Sequence, residues 1–438
     1  MAAEWRNWAG DQACRPLAIE HPASVDDVAE AVRRARDRGL SVRAAGSGHS
    51  FTEAALTEGV MLDLGRMARV IEGDRESGRV RVEAGITLKV LNRRLDDLGL
   101  AMENLGDIDV QTIAGAISTG THGTGAGLPN ISGQVEAIEL VDGDGEIREL
   151  DADDDLLRAA RVSVGALGVI TAVTLRTVPA FTLRRVDEPR PLAEVLESID
   201  ALAEASDHFE FFTLPHTETA LVIERNRTDE PPQPRGRVAA WANDVLLENH
   251  ALAVLARTGR RFRGANPALA RFAARLLSRT ERVVQSHEAF ASERRVRFTE
   301  MEYALPREHG PEALRRVVEL IHERRIEVFF PIEFRVVAAD DAMLSPAHER
   351  PTAYIAVHQF EGMEWRPYFE AVEAIMRDYD GRPHWGKRHF QTADSLAALY
   401  PRWEDFQRAR EELDPAGTFR NEYTDRILPQ RKAAPSPR

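Results

Sequence analysis

The chain has 438 residues, of which 43% are hydrophobic and 29% are charged, and its formal net charge is -14 at pH 7. This length predicts two domains, and this composition is typical of a folded globular protein rather than a disordered or fibrous one. The acidic balance argues against a nucleic-acid partner, because nucleic-acid phosphates would repel the chain.

Cysteine content and the N-terminus restrict the class of protein further. The single cysteine, Cys14, excludes an intramolecular disulfide and any zinc or iron–sulfur site that needs several cysteines. Residues 1–6 lack the basic and then apolar order of a signal peptide, and no run of about 18 apolar residues occurs. We therefore expect a cytoplasmic protein without a membrane span that acts on a small molecule.

Residues 1–180 alternate helix and strand signals, and we interpret them as the first domain. A capping box at Ser24 and Asp27 begins one helix, and Thr87 caps a second. Alternating Asp and Gly at 142–145 predict a hairpin turn. The predicted strands are 41–45, 59–64, 79–83, 135–141, 146–150 and 168–178.

Beyond Pro179 the pattern changes, and residues 181–390 are interpreted as an α+β domain with an antiparallel sheet. An arginine- and alanine-rich stretch at about 238–290 has helical periodicity. It is either a membrane-surface or partner-binding helix or a solvent-exposed face of this domain, and we favour the exposed face. Elsewhere the domain has predicted strands at 295–305, 328–337 and 352–360 and helices at 312–325 and 365–378, and residues 391–438 are predicted to form short helices and turns, with disorder at 433–438.

Three glycine-rich stretches in the first domain, 43–50, 115–125 and 165–170, point to a bound anion. Glycines let backbone amides approach an anion, and Ser and Thr hydroxyls add donors. Neither the Rossmann fingerprint nor a Walker A lysine matches, and tight turns are the alternative for any one stretch. Together they predict a pyrophosphate site, with candidates Arg43, Gly46, Ser47, Gly48, Ser50, Gly115, Ser118, Thr119, Gly120, Thr121, His122, Gly123, Gly165, Gly168, Val169 and Ile170.

Four groups of residues, in order over positions 40–425, resemble the vanillyl-alcohol-oxidase-type FAD flavoproteins. Their nearest likeness is to the aldonolactone oxidase and alditol oxidase branch of that family. The groups are Gly48-His49-Ser50; Asn104–Asp109 with Ile113–Ala116 and Ser118–Gly123; Met301-Glu302-Tyr303 with Glu333-Phe334-Arg335; and His384-Trp385-Gly386-Lys387. The resemblance implies an α+β fold with a two-part FAD-binding domain over 1–180, a substrate-binding cap over 181–390, and a segment 391–438 that returns to the FAD domain.

The same resemblance implies how FAD is held. His49 is expected to be bonded through its ring to the flavin, with a turn histidine beside noncovalent FAD as the alternative. Gly106 and Asp107 are expected beside the flavin, where Gly106 leaves room for O2. Asn421 belongs to a tail motif that folds back toward the flavin domain, with a plain turn residue as the alternative. No metal site is expected.

Candidate catalytic residues lie in the second domain. In the strand 330–336, Glu333 and Arg335 share one face, where a carboxylate and a guanidinium are costly unless water or a ligand meets them. A surface ion pair is the alternative. By resemblance these two orient substrate hydroxyls, and Lys387 lies near flavin N1 unless it is plain surface charge. His358 is a second candidate for proton transfer, with a core histidine as the alternative.

The function implied by the resemblance is oxidation of a CH–OH group of an aldono-1,4-lactone of the gulono- or arabinono- type. Hydride would pass to flavin N5, and O2 would reoxidise the flavin to give hydrogen peroxide. An alditol oxidase for xylitol or sorbitol is the alternative enzyme, and a flavin-binding module without turnover is the alternative from another class. The sugar, the physiological electron acceptor and the oligomeric state stay open at this point.

Overall fold

Residues 4–233, 252–291 and 296–430 are described by the structure, which is a computed structural model. Among them, no helix combines the length and apolar character that crossing a bilayer requires. The helices are Val25–Asp37 (α1), Leu88–Asp97 (α2), Ile113–Ser118 (α3), Asp155–Ala160 (α4), Leu192–Ala205 (α5), Leu252–Arg261 (α6), Asn266–Leu276 (α7), Gly310–Glu323 (α8), Arg366–Arg377 (α9), Ala393–Ala397 (α10), Trp403–Leu413 (α11) and Glu422–Ile427 (α12).

Twenty strands complete the described regular structure. They are Trp5–Arg6 (β1), Ala13–Cys14 (β2), Ala18–Glu20 (β3), Val42–Ala45 (β4), Val60–Asp63 (β5), Val70–Gly73 (β6), Arg79–Glu83 (β7), Leu100–Ala101 (β8), Val135–Val141 (β9), Ile147–Leu150 (β10), Val169–Arg176 (β11), Val178–Pro179 (β12), Thr182–Pro191 (β13), His208–Thr213 (β14), Thr219–Thr228 (β15), Thr280–Gln285 (β16), Phe298–Pro306 (β17), Ile332–Val337 (β18), Thr352–Phe360 (β19) and Arg382–Pro383 (β20).

A three-stranded parallel sheet, in the order β3-β5-β4, begins the N-terminal half. Helix α1 precedes β4, and its start is fixed as predicted, because Ser24 and Asp27 form a reciprocal capping box. Strand β4 is buried at three of its four positions and runs directly into the glycine-rich loop 46–50. The sheet therefore places this loop at the carboxyl end of a buried strand.

A five-stranded antiparallel sheet, in the order β10-β9-β11-β7-β6, forms the second part of this half. The predicted hairpin joins β9 to β10, with Val141 paired to Ile147. Both sheets share one apolar core, which also contains Phe406, Phe419 and Tyr423 from the C-terminal segment. Residues 391–430 therefore pack onto the N-terminal half, although the predicted domain boundaries stay a prediction.

An eight-stranded antiparallel sheet, in the order β16-β13-β15-β14-β18-β19-β17-β20, dominates the other half. One face packs against α5, α8 and α9 in a second apolar core. Side chains alternate across a strand, so the neighbouring positions point to the opposite face. On that opposite face four buried carboxylates and a guanidinium replace the apolar residues, namely Glu210, Glu300, Glu302, Glu333 and Arg335.

The α+β fold class is confirmed, but the predicted helical stretch at 238–290 is partly wrong. Residues 280–285 form β16, an edge strand antiparallel to β13, since β-branched residues and tertiary pairing override the helical period. Helices α6 and α7 agree with the prediction, and residues 238–251 lie outside the described residues. Arg295, the first residue of the predicted strand 295–305, also lies outside the described residues. The same is true of residues 433–438, which are predicted to be disordered.

Other differences concern strands and one helix. The sequence prediction missed β13, β14 and β15, whose polar residues mask the alternation. Residues 328–331, predicted as strand, precede β18 without joining the sheet. The second glycine-rich stretch begins within the short helix α3, which Thr112 caps.

Candidate active site

A groove of about 500 Å³ opens across the N-terminal half, and all three glycine-rich stretches line it. This volume is within the range of cavities that hold cofactors. Predicted residues in its lining are Arg43, Gly46, Ser47, Gly48, His49, Ser50, Gly115, Ser118, Thr119, Gly165, Gly168, Val169 and Ile170. Lining residues that the sequence prediction missed include Trp5, Gly85, Thr112 and Phe419.

Two glycines explain why the loop 46–50 approaches its neighbours so closely. A Cβ at Gly46 would lie 2.5 Å from Thr112 Oγ1, and Gly48 has a positive φ of +70°. Trp8 N–H also donates to the Gly48 carbonyl at 2.8 Å. The glycines therefore let backbone line the groove wall where a side chain would fill it, as a bound pyrophosphate requires.

Arg43 has a different role from the one that its place in the motif predicts. Its guanidinium donates to the carbonyls of Ala54, Val164, Gly165 and Phe419. Burial lowers its pKa to about 10. Because main-chain oxygens occupy its donors, Arg43 ties together three segments of the groove wall.

A smaller cavity of about 40 Å³, the inner cavity, adjoins the groove between the two halves of the chain. His49, Ser50, Gln111 and Thr119 line both spaces. The remaining inner-cavity residues are Asp107, Ile108, Thr121, His122, Glu300, Glu302, Glu333, Arg335, His384, Gly386 and Lys387. The structure thus brings His49, Glu333, Arg335 and Lys387 together, as the sequence analysis expected.

His49 lies at the junction of the groove and the inner cavity. Its ring stacks on Trp8 with centroids 5.0 Å apart. Burial and the charge of the Lys387 ammonium together lower its pKa to about 4, so the imidazole is neutral at pH 7. Among the described residues, no hydrogen bond reaches either ring nitrogen, which leaves a nitrogen lone pair available.

A chain of charges crosses the sheet behind the inner cavity. Arg335 Nη2 lies 2.5 Å from Glu333 Oε1, and its Nε donates to Glu210 at 2.7 Å. Glu210 also accepts from Arg225 at 2.7 Å. Burial alone would raise the pKa of Glu210, but Arg225 and Arg335 lower it to about 2. Glu210 is therefore ionised and fixes the guanidinium of Arg335.

Glu333 differs from Glu210 in the direction of its pKa shift. Burial raises the pKa of Glu333 well above its ordinary value, and the charges of Asp107 and Glu210 add to that rise. Arg335 opposes the rise but is shared with Glu210. A carboxyl group with a raised pKa is a stronger base when ionised, so Glu333 is suited to proton transfer.

Lys387 is held by a residue that the sequence prediction missed. Its ammonium forms an ion pair with Glu300 of β17. Glu300 is the register partner of His358 on the neighbouring strand β19. Burial alone would lower the pKa of Lys387, but Glu300 and Glu302 outweigh it and raise that pKa. His358 is not in the cavity lining, but its Nε2 lies 3.4 Å from Glu300 Oε1.

Glu302 carries the neighbouring carboxylate on the same face of β17. It lies 3.1 Å from His122 Nε2, while His122 Nδ1 faces the Gly123 carbonyl at 2.8 Å. His122 stacks on Tyr354 with centroids 3.6 Å apart.

Two triads of metal-ligand type meet in this region: His122, Glu302 and His384, and Glu300, Glu333 and His358. Glu300 already holds the Lys387 ammonium, and Glu333 holds the Arg335 guanidinium. These carboxylates are therefore neutralised by protein cations.

Besides His358, four predicted site residues lie outside both cavity linings: Gly106, Gly120, Gly123 and Asn421. A Cβ at Gly106 would lie 3.1 Å from the His122 carbonyl, and a Cβ at Gly123 would collide with Asn104. Asn421 caps α12 and donates to the carbonyls of Glu53, Ala54 and Leu56. These residues shape or brace the walls.

A signal for the missed carboxylates is present in the sequence. Glu300 and Glu302 alternate within the otherwise apolar strand β17, the same pattern that singled out Glu333 and Arg335. Glu210 has a similar position between Phe209 and Phe211.

Family comparisons cover both halves of the chain. The model of the D-arabinono-1,4-lactone oxidase family matches residues 173–427, and that of the FAD binding domain family matches residues 16–151. The L-gulono-1,4-lactone dehydrogenase of Mycobacterium tuberculosis strain H37Rv is 48% identical, over 98% of this chain and 100% of the relative.

More distant relatives span the chain equally fully. The L-gulonolactone oxidase of Mus musculus is 34% identical over 97% of this chain and 98% of the relative, and the alditol oxidase of a Streptomyces species is 29% identical over 98% and 100%. A cholesterol oxidase from Brevibacterium sterolicum has the same fold, with a TM-score of 0.82 and 18% identity over 97% of this chain and 96% of that one. The predicted resemblance is confirmed, and the chain belongs to the D-arabinono-1,4-lactone oxidase family of FAD-dependent oxidoreductases.

Proposed function

We propose that this enzyme oxidises a CH–OH group of an aldono-1,4-lactone of the gulono- or arabinono- type. The observation that carries the proposal is the buried group Glu333, Arg335 and Lys387, in a cavity that meets the cofactor groove at His49. The names of relatives with 48% and 34% identity support the lactone as substrate.

The groove residues suit FAD, because glycine backbone and Ser or Thr hydroxyls from three stretches line it. When bound, FAD supplies the acceptor for the hydride that leaves the substrate carbon. Residues of the chain must then bind the hydroxyl, accept its proton and balance developing negative charge.

Those tasks are divided among three side chains. Arg335, fixed by Glu210, donates to the substrate oxygen and favours loss of its proton. Glu333, in the ionised form that pairs with Arg335, accepts that proton. Lys387 remains protonated beside Glu300 and supplies positive charge in the inner cavity.

A covalent bond between His49 and the flavin is part of the proposal. A neutral imidazole without a hydrogen-bond partner among the described residues is the form that can act as the nucleophile. The new C–N bond would replace a C–H bond of the flavin methyl group, with loss of a proton, and the two electrons left on the flavin would pass to O2. In acid-precipitated protein we expect yellow colour in the pellet and a flavin-modified peptide containing His49. With His49→Ala, the colour should move to the supernatant; a wild-type pellet without flavin would refute the bond.

Hydride acceptance and reoxidation can be tested on the purified yellow protein. Under anaerobic conditions, gulono- and arabinono-1,4-lactones should bleach the flavin, whereas xylitol and sorbitol should not. Bleaching by the alditols alone would favour an alditol oxidase, in line with the 29% identical relative. No bleaching by any of them would leave only a flavin-binding module. Air should then restore the colour if O2 is the acceptor, with hydrogen peroxide formed.

A further inference from the structure

A strongly basic stretch stands out on this acidic chain. Residues 252–279, which contain α6 and α7, include seven arginines and no lysine, aspartate or glutamate, against a net charge of -14 for the whole. All seven arginines are exposed. Local charge of one sign on a protein of the opposite sign marks a surface with its own partner.

Large apolar side chains share this surface. Val254 is 60% exposed, Phe262 59%, Phe272 52% and Leu276 65%. On α7, Phe272 and Leu276 are four residues apart, as are Arg271 and Arg275, so the helix presents an apolar row beside a basic row. Solvent exposure of such residues is unfavourable unless a partner covers them.

Several of the arginines lack an acidic partner. Among the described residues, no carboxylate forms an ion pair with Arg257, Arg271 or Arg275, whereas Arg279 pairs with Glu281 at 2.8 Å and Arg263 with Glu327 at 3.5 Å. The described residues therefore leave the charge of these three arginines on the outer face without a neutralising carboxylate.

The inner side of α6 is anchored close to the inner cavity. Ala256 is buried in an apolar cluster with Phe51, Phe298 and Phe360. Lys387 Nζ lies 5.6 Å from the centre of the Phe51 ring, so this cluster separates the basic surface from the active site.

We propose that the outer face of α6 and α7 docks on an anionic lipid surface. Phe262, Phe272 and Leu276 would enter the boundary between headgroups and acyl chains, while the arginines would meet lipid phosphates. A nucleic acid would satisfy the arginines but leave the apolar row in water. The arrangement favours reversible attachment to one face of the bilayer.

The test uses the full-length flavin-loaded protein and co-sedimentation with vesicles. We expect binding to vesicles of phosphatidylcholine mixed with phosphatidylglycerol, little binding to phosphatidylcholine alone, and weaker binding at high salt. Absence of binding to the anionic vesicles, or equal binding to both kinds, would overturn the proposal.

Paired variants separate the contribution of the arginines to vesicle binding from that of the apolar side chains. Arg271→Gln with Arg275→Gln should lower the vesicle partition coefficient about 30-fold, and Phe272→Ser with Leu276→Ser about 10-fold. Arg93→Gln and Leu17→Ser make the same chemical changes at exposed positions elsewhere and should bind like wild type. If the paired variants bind as well as these controls, the surface is not the docking site. Substrate bleaching by each variant reports independently on the proposed activity.

Discussion

At the scale of single residues, Glu300 is the clearest addition to the site. It links Lys387 in the cavity to His358 on the neighbouring strand. Glu300 lines the inner cavity, but in the proposed scheme it holds Lys387 and does not touch the reacting atoms, so it acts as a positioning residue for Lys387.

Glu300→Gln tests this role through the pH profile. Glu300 raises the pKa of Lys387, so activity that needs the protonated ammonium is lost only as pH rises through that raised pKa. Removing the carboxylate should move the alkaline limb of kcat to lower pH by about one unit or more. Glu300→Asp should restore part of the shift, and Glu370→Gln, which removes an exposed ion pair with Arg366, should leave the limb in place.

Gly106→Ala tests oxygen access beside the cavity. The added methyl group would lie 3.1 Å from the His122 carbonyl and 3.4 Å from Thr121 Cγ2. We expect slower reoxidation by air, while anaerobic reduction by substrate keeps its rate. Gly127→Ala is the control, because nothing lies within 4 Å of its Cβ position. Stopped-flow reoxidation that is unchanged in Gly106→Ala, or that is already negligible in wild type, would contradict oxygen gating at this residue.

At the scale of elements, the N-terminus of α12 secures the C-terminal segment. Asn421 Oδ1 accepts from Thr424 N–H at 2.9 Å, and Nδ2 donates to the Glu53 and Leu56 carbonyls at 2.9 Å each. Asn421→Ala removes a helix cap and leaves buried carbonyls without these donors. We expect a loss of about 2 kcal/mol in the free energy of unfolding, measured by urea denaturation.

Ser24→Ala is the matched control for Asn421→Ala. It removes only the capping box of α1 and should cost about 1 kcal/mol. Equal losses in the two variants would show that the bonds from Asn421 to the 53–56 loop contribute nothing.

At the scale of the whole molecule, buried histidines make stability depend on pH. Burial lowers the pKa values of His49 and His208 to about 4 and of His384 and His389 to about 3. Between these values and the ordinary 6.5, the unfolded chain binds four more protons at these histidines. Burial raises the pKa of Asp340 to about 6 and that of Glu333 well above its ordinary value, which opposes this by two protons.

The direction in which stability changes with pH follows from this count of protons. Stability is present above pH 6.5 and falls as pH drops toward 4, with a slope near pH 5 of about 3 kcal/mol per unit for two net protons. Urea midpoints measured at several pH values should decrease accordingly. A midpoint that stays constant from pH 7 to pH 5 would contradict these histidine pKa values.

Local signals in the sequence were sufficient for several parts of the fold. The strand 135–141 and its hairpin, the cap at Thr87 and the groove lining by three glycine-rich stretches follow from periodicity, caps and glycine placement. Each depends on residues a few positions apart. Strand β16 was predicted as helix because its partner β13 lies about a hundred residues earlier in the chain.

The family, the FAD-binding stretches and the catalytic candidates Glu333, Arg335 and Lys387 could be predicted without a structure, because these residues lie in short motifs. Which charges face each other depends instead on how the strands pair in three dimensions. Glu210 meets Arg335 because β14 pairs with β18, and Glu300 meets His358 because β17 pairs with β19. Strand register joins residues that are distant along the chain, and local patterns carry no information about that pairing.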